Sequence, residues 1–129
     1  METRWIPIIP VLEEFQSFLS NKVPKLEIIN ANDRNWPQER YESQEKTGIF
    51  DKYGIYLIFN DSGELQYVGV SMQRFHNRIW KHDFKVQRRW TDVIPFEHEN
   101  YFLALALEFF LIAKLTPKGN REFKNFTIK

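Results

Sequence analysis

Gly54-Ile55-Tyr56-Leu57-Ile58-Phe59-Asn60-Asp61-Ser62-Gly63-Glu64-Leu65-Gln66-Tyr67-Val68-Gly69-Val70 is the stretch whose reading decides the fold. Leu57 to Asn60 and Leu65 to Val70 are rich in β-branched and aromatic residues, and Asn60 to Glu64 between them is turn chemistry. The pattern predicts a β-hairpin, the strongest such signal in the chain. Pairing Asn60 with Leu65 sets Tyr56 opposite Gly69 and Tyr67 opposite Ile58. Side chains alternate faces with period two, so Tyr56 and Tyr67 share one face as diagonal neighbours, roughly 7–8 Å apart. Gly69 has no side chain and leaves space over Tyr56. Ile55, Leu57, Phe59, Val68 and Val70 fall on the other face, which is expected to be core. Two such tyrosines, taken alone, are ordinary strand aromatics.

The composition sets the bounds within which that hairpin works. A chain of 129 residues makes one domain and buries a core without staples. Its 43% hydrophobic and 16% aromatic content excludes a disordered class. With no cysteine, disulfides and thiolate metal sites are excluded, and a cytoplasmic location is the expectation. Pro7 and Pro10 interrupt the first apolar run, so it does not read as a signal peptide. The longest apolar stretch, Tyr101 to Ala113, contains Glu108 and is too short to span a membrane, so no membrane partner is expected. The net charge of +1 is uninformative, but its distribution is not.

Upstream of the hairpin, Val11, Leu12, Phe15, Phe18 and Leu19 recur at helical spacing, with Pro10 near the first turn and Pro24 beyond the end. Residues 1–50 therefore read as an N-terminal extension with a short amphipathic helix, and residues 51–129 as the main domain. Leu26 to Ile29 has the makings of a short strand. Residues 33–51 are polar and read as a connector.

Downstream, the charge changes sign. Arg74, Arg78, Lys81, Lys85, Arg88 and Arg89 lie between Val70 and Trp90 against the single acid Asp83. Residues 74 to about 84 look helical, and Arg74, Arg78 and His82 then form one stripe. A basic stripe is most often a solvated face. Beside two clustered tyrosines it suits phosphate contacts, which supply most nucleic-acid affinity. Trp90 to Phe96 predicts a third strand, ending near Pro95. Asn100 to Leu115 is apolar on every side and reads as a buried helix. Glu108 is its only acid, and a carboxylate there needs an ion pair, hydrogen bonds or a metal. Thr116-Pro117 stops that helix, and Lys118-Gly119-Asn120 follows as a turn.

The order Gly54-Ile55-Tyr56, Tyr67-Val68-Gly69, Arg78 with His82, Glu108, and Pro117 with Asn120 closely resembles the GIY-YIG nuclease domain. That family includes homing endonucleases, some restriction enzymes and the incision domain of a bacterial excision-repair nuclease. The resemblance covers residues 53–120. It implies an α+β fold in which a three-stranded antiparallel sheet is flanked by helices, here with the N-terminal helical extension added.

The resemblance also implies roles. Tyr56 is expected to act as general base or to position the attacking water. A free phenol titrates near about 10, so such use needs positive charge or an acceptor nearby, and His82 is the natural acceptor. Tyr67 is expected to hold the water and the scissile phosphate, and Arg78 to stabilise charge on its non-bridging oxygens. Glu108 is the expected ligand of one divalent ion, Mg2+ or Mn2+. Asn120 is expected to orient neighbouring groups. Some relatives carry a lysine just after the second motif, where Val70 and Ser71 stand here. This leaves the proton relay to His82.

The function expected on these grounds is a metal-dependent endonuclease hydrolysing phosphodiester bonds of DNA, with RNA not excluded. Arg74, Arg78, Lys81, Lys85, Arg88 and Arg89 are the expected backbone-binding residues. No separate DNA-reading module is evident, so target choice falls to residues 1–50, DNA shape or a partner protein, in a monomer or a homodimer. A non-catalytic nucleic-acid-binding module keeping the same fold is the alternative.

Overall fold

A computed structural model describes residues 2–21, 23–30, 53–71 and 90–120. Two helices pack on one face of a four-stranded antiparallel sheet. The strands are β1 (Ile29–Asn30), β2 (Tyr53–Phe59), β3 (Leu65–Ser71) and β4 (Trp90–Phe96), arranged β1-β4-β2-β3. The helices are α1 (Ile9–Gln16) and α2 (Tyr101–Leu115). The α+β class agrees with the sequence reading; the three-stranded sheet needs correction. Ile29 and Asn30 pair with Val93 and Asp92, adding a fourth strand from the N-terminal extension. This short strand covers part of an edge whose backbone groups need partners.

The β2–β3 hairpin forms in the expected register from Gly54↔Ser71 through Ile58↔Tyr67, including Tyr56↔Gly69. Nearer the turn it departs. Phe59, not Asn60, pairs with Leu65, and a bulge lies at that point. Asn60 is the turn's organiser instead: its side-chain oxygen accepts the backbone N–H groups of Ser62 and Glu64, both at 3.0 Å. Asx side chains commonly satisfy turn donors in this way.

β2 is an inner strand between β4 and β3, and its residues are buried on both faces. Ile55 to Phe59 are all essentially inaccessible to solvent. At its start Gly54 adopts φ +134°, and a β-carbon there would run into the backbone of Ile94 and Phe96. β4 runs from Trp90 to Phe96, the span expected from the sequence, with Pro95 one residue before its end. Pro95 lies past the residues paired with β1, where a missing N–H is tolerated.

The core fills the space between the helices and one sheet face. Ile55, Leu57, Phe59, Val68, Ile94 and Phe96 meet Ile8, Leu12 and Phe15 around α1. Ala104, Leu107, Leu111 and Ile112 of α2 complete it. The N-terminal extension thus contributes to the same core as the hairpin. Phe15 packs on Phe110 with ring centroids 5.4 Å apart, locking α1 to α2. Pro10 sits within the first turn of α1, as the sequence implied, but the helix closes at Gln16 and leaves Phe18 exposed.

α2 differs from its reading in one respect. Its sequence is apolar all round, yet Phe102 is 81% and Phe109 54% exposed. A single sheet face buries only one stripe of a helix. Thr116 ends α2 in the left-handed conformation, its N–H bonded to the Ile112 carbonyl at 2.8 Å.

Candidate active site

The hairpin register brings the two phenols together. Their ring centroids lie 6.0 Å apart with planes inclined by 24°, an offset stack. Tyr56 is fully buried and Tyr67 half-buried. Gly69 does not leave open space over Tyr56, because the Tyr56 ring occupies it. A β-carbon at Gly69 would collide with the Cζ and hydroxyl of that ring. The glycine is therefore a steric requirement of the phenol's placement.

Asn120 anchors the same strand from the far end of the chain. Its Oδ1 accepts the Val68 N–H at 2.8 Å, and its Nδ2 donates to the Val68 carbonyl at 3.0 Å. Asn120 is buried, and both bonds go to the residue between Tyr67 and Gly69. Its short 3-10 turn, Lys118–Asn120, is set by the reversal at Thr116 and Pro117. Asn120 thus holds the β3 backbone that carries Tyr67.

Glu108 is held differently. It lies between Ala104 and Ile112 along the flank of the buried stripe of α2 and is half-buried. That stripe packs on the Ile55–Leu57–Phe59–Val68 face, whereas Tyr56 and Tyr67 alternate onto the opposite face. No group of three or more His, Cys, Asp or Glu able to hold a metal occurs among the described residues. Arg74, Arg78, Lys81, His82, Lys85, Arg88 and Arg89 lie outside the described residues.

No protein-family model, curated protein or solved structure matches this chain. Likewise, no helix among the described residues is long and apolar enough to cross a membrane.

One ionic cluster was not anticipated. Asp92, fully buried in β4, accepts from Arg4 Nε at 2.7 Å, Arg4 Nη2 at 2.8 Å and Trp5 Nε1 at 2.7 Å. Arg4 also donates to Glu2 at 3.0 Å. The Arg4 guanidinium carbon lies 5.1 Å from the Trp90 ring centroid and 5.7 Å from those of Trp5 and Phe59. Burial opposes its charge, but the hydrogen bonds and attraction of Asp92 and Glu2 prevail and raise its pKa above the ordinary value. The signal was available: Asp92 is a lone acid in an apolar strand, the same pattern that singled out Glu108. Its partner could not be read, because Arg4 stands 88 positions away.

Proposed function

We propose that this chain is a metal-dependent endonuclease acting on DNA, with the Tyr56–Tyr67 pair as the centre of its active site. The observation that carries the reading is the stacked phenol pair, held at the expected register over Gly69 and anchored through Val68 by Asn120. Mutually supporting placement of these residues is more than two unrelated strand tyrosines require.

In this reading the Tyr56 hydroxyl orients or deprotonates the attacking water, and Tyr67 holds the water against the phosphate. Arg78 binds the non-bridging oxygens, and His82 takes the proton onward. A single carboxylate suits Mg2+, which binds through one or two carboxylates plus substrate phosphates, so Glu108 has the right donor chemistry. Bound there, the ion supplies Lewis-acid stabilisation of the leaving oxygen. The basic residues from Arg74 to Arg89 hold the DNA backbone.

A second reading, a nucleic-acid-binding module without catalysis, is favoured by one observation: Tyr56 is closed to solvent. Nicking of supercoiled plasmid with Mg2+ and with EDTA separates the two. The nuclease reading expects Mg2+-dependent nicking by the wild type and a rate at least about 100-fold lower for Tyr56→Phe. Glu108→Ala should abolish cleavage while DNA binding persists. Wild type that binds DNA without cutting it supports the module; equal nicking by all three proteins rejects the proposed site.

A further inference from the structure

We propose that the outward face of α2 is a homodimer interface in which two copies pack antiparallel about a twofold axis. This inference is independent of the proposed activity. It starts from the exposed stripe Phe102, Ala106, Phe109 and Ala113, which recurs at spacings of four, three and four residues and so lies along one helix face. Opposite it, Ala104, Leu107 and Leu111 enter the core. The exposed stripe alternates large and small side chains.

That alternation complements itself in only one direction. In an antiparallel pair centred between Ala106 and Phe109, Phe102 of one copy faces Ala113 of the other, and Ala106 faces Phe109. Every phenylalanine then meets an alanine, the fit expected of an isologous interface. A parallel pair in register would instead set phenylalanine against phenylalanine.

Charge points to the same arrangement. The exposed acids Glu97 and Glu99 lie at the N-terminal end of α2 and the exposed base Lys118 just past its C-terminal end, where Lys114 is paired with Glu14 of its own chain at 3.1 Å. Antiparallel packing brings each copy's acids near the other's Lys118 and opposes the two helix dipoles. Parallel packing would align like charges.

The area sets the strength. Phenylalanine carries about 150–250 Å² of buriable surface. At 81% and 54% exposure, Phe102 and Phe109 from two copies contribute roughly 400–700 Å². With the flanking residues, this falls in the small class of specific interfaces, below about 1,200 Å². The association is therefore reversible and concentration-dependent.

Sedimentation velocity over about 1–500 μM tests the proposal, with circular dichroism checking the fold of each variant. Wild type should pass from monomer to dimer as concentration rises. Ala106→Phe should move the midpoint at least about ten-fold upward by opposing two phenylalanines. Adding Phe109→Ala restores the large-to-small pairing in reversed order and should bring the midpoint back. Phe102→Asp should leave folded monomer throughout. A monomeric wild type across the range overturns the proposal, and so does a folded double variant that fails to recover dimerisation.

Discussion

The two faces of the sheet solve opposite problems with similar materials. On the helix-covered face, β4 buries an ionised pair and satisfies it: Asp92 receives three donors from Arg4 and Trp5 within an apolar core. On the other face, β2 and β3 bring two phenols into a stack, and room for one is made by omitting a side chain at Gly69. The first face is organised for stability, since a buried charge is tolerable only when every lone pair is occupied. The second is organised for placement. A glycine and a distant asparagine hold a particular ring position that hydrophobic burial alone would not specify.

Mutations should break that contrast in a graded series. Asp92→Ala leaves Arg4 charged in the core and should cost about 3–5 kcal/mol, lowering the melting temperature on the order of 10–20 °C. Thermal unfolding followed by circular dichroism measures it, and a loss no larger than that of an exposed glutamate would contradict the buried-pair account. Gly69→Ala drives a methyl group into the Tyr56 ring and should cost about 1–3 kcal/mol. Combining it with Tyr56→Ala should recover part of that loss, because the clash then disappears.

Asn120→Ala comes next. It frees the Val68 N–H and carbonyl in a buried setting, with an expected cost of about 1–3 kcal/mol in urea titration. Amide hydrogen exchange at Val68 should accelerate more than at Ile94, which lies on the other side of β2. Uniform acceleration across both strands would assign Asn120 no special hold on β3. Tyr56→Phe should be the mildest for stability, within about 1 kcal/mol, while removing most of any Mg2+-dependent cleavage.

pH sharpens the comparison further. Arg4 has a raised pKa, so its contribution is complete below the ordinary guanidinium range and is lost only as pH climbs through the raised value. The stability difference between wild type and Arg4→Met should therefore stay constant between about pH 7 and 10. A difference that shrank within this window would mean the pair had been lost by another route.

The hairpin was legible because alternation and turn chemistry are local properties. They placed Tyr56 opposite Gly69 and put Ile55, Leu57 and Val68 on the core face. The bulge near Phe59 was not legible, since Asn60 serves equally well as a strand end or as a turn residue, and only its bonds to Ser62 and Glu64 decide. β1 was legible in part: the sequence suggested a short strand over Leu26 to Ile29, and pairing with Val93 and Asp92 sets it at Ile29–Asn30. For the candidate site, the tyrosines and Asn120 could be nominated from their order in the chain. Their consequences for one another needed distances.

What the chain alone established is thus the short-range part: where β2 and β3 turn, and the approximate course of α1 and α2. Tertiary structure settled which surfaces those elements cover. It paired Asp92 with Arg4, closed Tyr56 over Gly69, and left Phe102 and Phe109 facing outward on a helix whose composition implied burial. The reason is that propensity and periodicity act between neighbours a few residues apart, whereas burial depends on what the rest of the chain has already covered.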